Sequence, residues 1–127
     1  MQQNHLFEYA VIRVVPKVER EEFFNVGVIL YCRQHAFLKA MFTLNEEKLR
    51  AFCKELDMTE IKKHLQALEQ IASGSAGAGP IGKLDIASRF RWLTATRSTV
   101  VQASKVHPGL CTDPMSALEK LFTQLVL

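Results

Sequence analysis

The chain has 127 residues and a formal net charge of +3, with 48% hydrophobic and 23% charged residues. That length bounds it to one domain, residues 1–127, with room for a real core, and the composition excludes disordered, collagen-like and coiled-coil chains. The charge permits an anionic partner but falls short of the basicity that would by itself imply nucleic-acid binding.

No apolar run approaches the roughly 20 residues of a membrane helix, and the opening MQQNHLFEYA lacks a basic n-region and long apolar stretch. Cys32, Cys53 and Cys111 are odd in number, widely spaced and never form a CxxC pair, so neither a disulfide scaffold nor a structural zinc site is expected. Cytoplasmic residence in a reducing compartment follows as the expectation.

Phe7 to Val15, FEYAVIRVV, carries β-branched and aromatic residues on both alternating faces, as in a strand covered on both sides. Pro16 ends it, and KVEREE reads as a loop or one helical turn. Val26 to Cys32, the most apolar segment, reads as a second strand, in which Gly27 marks a bulge or a neighbour that comes unusually close. Arg33 to His35 form a short break before the alternating run Phe37 to Leu44, which completes a hairpin.

Asn45 then N-caps a helix with stripe Leu49, Phe52, Cys53 and Leu56, and Asp57 with Glu60 opens another whose stripe runs Ile61, Leu65, Leu68 and Ala72 and stops at Gly74. Ser73 to Gly82, SGSAGAGPIG, is low in complexity and reads as a flexible surface loop. Ser98 to Ala103 reads as a short fourth strand and His107 to Gly109 as a turn. Asp113 and Pro114 open a last helix with stripe Leu118, Leu121, Phe122 and Leu125, and its terminal LFTQLVL suits core or a dimer contact. Strands first and helices after predict an α+β fold: an antiparallel sheet of three to four strands with about three helices packed on it.

Several apparent motifs fail on context. Gly77 to Lys83 matches a dinucleotide fingerprint and most of a phosphate loop, but a helix precedes it, Pro80 removes an amide, and Leu84 sits where a hydroxyl would hold magnesium. His5, His35, His64 and His107 share no ligand spacing, so no metal and no cofactor are expected. Ser98, Thr99, Cys111 and His107 lack any nucleophile-elbow sequence.

Two constellations carry more. Arg13, Arg20, Glu22 and Asn25 gather around the connection between the first two strands. Arg13 interrupts an apolar face, so its guanidinium is either buried against a carboxylate, with Glu22 the natural partner, or aimed at an anionic ligand. In Ser88 to Val101, SRFRWLTATRSTVV, the arginines Arg89, Arg91 and Arg97 interleave with Phe90 and Trp92. Such a run either contacts phosphates while stacking on bases, or anchors its aromatics in the core while its arginines cap carbonyls and helix ends.

Arg13 to Cys32, RVVPKVEREEFFNVGVILYC, resembles the signature of a bacterial family catalogued as a domain of unknown function, number 3037. The matching positions are Arg13, Pro16, Arg20, Glu22, Phe23, Asn25, Val26, Gly27 and Val28, and the later Ser88 to Val101 segment is also similar. The resemblance supplies no activity. It implies a small bacterial protein whose relatives lie beside HipA-like kinases, hence an accessory or regulatory partner of such a kinase.

Three readings follow: a non-enzymatic accessory module that binds a protein partner, a nucleic-acid or anion binder using an Arg-rich face, and an enzyme on a phosphorylated or nucleotide substrate with Glu22 as acid or base. A homo-oligomer is compatible with each. The ligand-binding candidates are Arg13, Arg20, Glu22, Asn25, Arg89, Arg91, Trp92 and Arg97, and a small-substrate clamp requires the two groups to converge on one surface.

Overall fold

The computed structural model describes residues 3–16, 22–97 and 99–127, so Arg20, most of the KVEREE stretch and Ser98 lie outside the described residues. The chain runs β1 (His5–Val14), β2 (Phe24–Cys32), β3 (Phe37–Phe42), α1 (Glu46–Phe52), α2 (Met58–Ser73), α3 (Ile86–Leu93), β4 (Val101–Ala103), β5 (His107–Cys111) and α4 (Pro114–Leu125). All strand pairs are antiparallel, giving an α+β fold with five strands and four helices where about three helices were expected.

The sheet order is β3-β2-β1, and both late strands pair with the remaining edge of β1. β4 takes Ile12 to Val14 and β5 takes His5 to Tyr9. Ser104 bridges the interruption between them: its amide donates to the Val11 carbonyl at 2.8 Å, and its Oγ accepts from the Val11 amide at 2.8 Å. His107 to Gly109 is therefore strand and not the expected turn, because pairing with β1 overrides local turn chemistry. Pro108 is tolerated there because β5 lies at the sheet edge.

Alternation along β1 divides the molecule. Ala10, Ile12 and Val14 point to a core shared with α2 and α3, while Phe7 and Tyr9 point to a second core closed by Leu118 and Phe122 of α4. Both faces of β1 and β2 are thus covered over much of their length, as their near-continuous apolar sequences predict. The register slips between Ile12 and Arg13, where Val26 is passed over beside Gly27. A Cβ on Gly27 would lie 2.5 Å from the Phe42 ring and 2.6 Å from the Met41 carbonyl, so the bulge and the close neighbour occur together.

The helix boundaries follow their caps. Asn45, Asp57 and Asp113 each accept a hydrogen bond from an amide of the helix they precede, and Gly74 ends α2 at φ +68°. The segment read as a flexible loop forms two 3₁₀ turns, Ala76–Ala78 and Pro80–Lys83, with Ala78 and Ile81 packed against the larger core. The helix absent from the expectation is α3. Asp85 caps it through the Ser88 amide at 2.7 Å, and Phe90 and Leu93 drive it into the core.

Candidate recognition surfaces

Arg13 and Asn25 lie on one side of the sheet and the arginines of the later segment on the other. Arg13 follows Tyr9 and Val11 onto the α4 side, where it pairs in register with Asn25. Its guanidinium carbon lies 4.1 Å from the centre of the Phe23 ring, and its Nε is buried without a hydrogen-bond partner among the described residues. Asn25 donates through Nδ2 to the Leu125 carbonyl at 3.0 Å, tying the mouth of the first hairpin to the end of α4, and its Oδ1 is buried without a hydrogen-bond partner among the described residues. Glu22 is half-buried at the same mouth. Phe23, Asn25, Lys48 and the last three residues line a cleft of about 640 Å³ there.

Arg89, Arg91, Trp92 and Arg97 belong to α3 and the segment after it, on the other side. Arg89 Nη1 donates to the carbonyls of Ile71 and Ala72 at 3.0 and 3.1 Å, so it closes the C-terminal end of α2. Arg97 donates to the carbonyls of Trp92 and Leu93 at the end of α3 and stacks 4.3 Å from the Trp92 ring centre. Phe90 and Leu93 are buried, whereas Trp92 stays partly exposed. Among the described residues Arg91 forms an ion pair, meeting both Glu8 oxygens at 3.2 Å in a two-point contact.

The sheet itself separates Arg13 from Arg89 and Arg91, so no single small-substrate clamp holds these arginines together. Arg89 and Arg97 are spent on helix ends. Their donors answer carbonyls that the helices leave open, which removes them from an exposed phosphate-binding face.

Sequence reasoning missed a different surface. Leu6 of β1 and Leu110 of β5 are register partners and are 60% and 66% exposed. They stand on the α3 side of the sheet beside an open cleft of about 730 Å³, whose walls include Leu6, Tyr31, Ile86 and Ala87 and whose rim carries Glu8, Arg33, Asp85 and Arg91. The alternation of Leu6 with buried Phe7 is a readable signal for the first leucine, but the turn signal of His107 to Gly109 hides its partner Leu110.

The remaining titratable groups form no ligand cluster. Among the described residues no group of three or more His, Cys, Asp or Glu side chains could hold a metal ion. Cys32 and Cys111 are buried, and burial, followed by the adjacent Cys32 thiol, pushes the Cys111 thiol up from its ordinary range. The glycine-rich stretch has α2 before it and no helix directly after its last glycine, the wrong setting for a phosphate loop. No helix among the described residues is long and apolar enough to cross a membrane.

No curated protein and no solved structure matches the chain. One family model does, that of "Protein of unknown function (DUF3037)", over residues 9–126. The match runs from the middle of β1 to the end of α4 and so takes in nearly all of the architecture described above; the chain belongs to the DUF3037 family.

Proposed function

We propose that the chain is a non-enzymatic accessory module that docks a protein partner through the Leu6–Leu110 strip and the cleft beside it. The exposure of two register-paired leucines on a strand pair is the observation that carries this reading. An isolated exposed leucine is ordinary, but two side by side at the lip of a cleft make a patch that water solvates poorly. The rim adds charges of both signs, with Arg91 held by Glu8, an arrangement that fixes the register of a protein surface. Glu8 and Asp85 on the same rim repel phosphates, which favours a protein over a nucleic acid at this place.

The resemblance to a family found beside HipA-like kinases makes such a kinase the first partner to test. Purified kinase and this chain, mixed at micromolar concentration, should co-elute on sizing and give a saturable calorimetric titration. Leu110→Glu should weaken the complex by about tenfold or more while leaving the thermal transition within a few degrees of wild type. Absence of a complex, or an unchanged affinity for Leu110→Glu, overturns the reading.

A further inference from the structure

On the opposite side of the sheet the coverage is incomplete: α4 packs along β2 and β3, leaving Tyr9 and Arg13 half-buried and His107 exposed. We propose that this open part of the α4 side, centred on Tyr9, His107, Arg13 and Phe23, binds single-stranded nucleic acid. The inference does not rest on the protein-docking reading, since the two surfaces lie on opposite faces.

Two planar platforms are already built there. Tyr9 and His107 are register partners whose rings lie 5.4 Å apart at 36°, and the Arg13 guanidinium lies over the Phe23 ring at 4.1 Å. Neither pair is sealed into the core: Phe23 is 46% exposed and His107 is exposed. Aromatic rings and stacked guanidinium groups at the surface of a sheet accept bases of any identity, because every base has a π face.

Arg13 supplies the fixed positive charge of this open part, with Glu22 at the same hairpin mouth. The register places Arg13 on the same side as Tyr9 and His107, and among the described residues no strand position on that side carries a carboxylate. The α3 side contrasts with it, since Glu8 stands in the middle of its strand pair. Two planar platforms beside an arginine suit a ligand that carries flat rings and phosphate together, and an unpaired strand offers both at once. A duplex hides its bases and offers only phosphate, so a preference for single strands separates stacking from plain charge.

The test is fluorescence anisotropy with labelled oligouridylate of roughly a dozen nucleotides, a matching duplex, and unlabelled inorganic polyphosphate as competitor. The single strand should bind, lose affinity steeply as salt rises, and bind more tightly than the duplex. Tyr9→Ala and Arg13→Met should each weaken it about tenfold, Tyr9→Phe should retain it, and Leu110→Glu should leave it unchanged. Circular dichroism melts of each variant separate lost binding from lost folding; Tyr9→Phe and His107→Ala keep the test decisive should Tyr9→Ala unfold. Equal binding of duplex and single strand, insensitivity to Tyr9, His107 and Arg13, or no anisotropy change at all overturns the proposal.

Discussion

Arg89 and Arg13 are both arginines whose buried Nε has no hydrogen-bond partner among the described residues, yet they sit in opposite circumstances. Arg89 lies where α2 ends and bare carbonyls face it, so its guanidinium becomes part of the scaffold. Arg13 lies at the mouth of the first hairpin, beside Glu22, where its guanidinium stacks on the Phe23 ring. The contrast teaches that an arginine-rich stretch has no intrinsic meaning for binding; what the backbone leaves unsatisfied nearby decides whether the cation is consumed or presented.

The largest expected effects probe whether the α3 side is the structural half. Phe90 is fully buried and lies 5.3 Å from the Tyr31 ring, so Phe90→Ala should cost about 3–5 kcal/mol in urea denaturation. Phe122→Ala on the α4 side should cost less, because Phe122 keeps a little exposure.

Next, Arg89→Met should lower stability by about 1.5–3 kcal/mol as two carbonyls lose their charged donor, whereas Arg13→Met should cost about 1 kcal/mol or less. Equal costs for the two would break the comparison. Arg91→Ala removes an exposed ion pair, and its effect should stay below about 1 kcal/mol and shrink further with added salt.

The smallest effect concerns pH. Burial, and secondarily the positive charge of Arg97, lowers the His64 pKa from its ordinary value of 6.5. The folded protein therefore binds fewer protons at His64 than the unfolded chain does. Stability should be intact above the ordinary value and fall as pH drops below it toward the depressed folded value. Urea midpoints compared at about pH 8 and about pH 5 should show a slope that His64→Gln reduces.

Much of the fold was legible because its signals are local. Asn45, Asp57, Gly74 and Asp113 mark helix ends through hydrogen bonds to neighbouring amides and carbonyls, and Arg33 to His35 break one hairpin. α3 was equally marked, by Asp85 with Ser88 and by Ile86, Phe90 and Leu93 at i, i+4 and i+7, but three arginines in and after it drew the reading toward a ligand. β5 could not be read locally. Its Pro-Gly pair favours a turn, and only the long-range ladder to β1 makes it extended.

The candidate site was harder still. Alternation shows that Arg13 shares a side with Tyr9, but nothing in the order of residues reveals which helix covers that side. The separation of the arginine groups is thus a tertiary fact. So is the Leu6–Leu110 strip, which brings together residues more than a hundred positions apart in the chain.

The divided strand at the margin of the sheet has a further consequence. With Ser104 turning its hydroxyl inward and Pro108 lacking an amide hydrogen, the outer margin offers an incoming chain no continuous run of donors. Leucines displayed beside this margin therefore invite contact through side chains more than through an added strand.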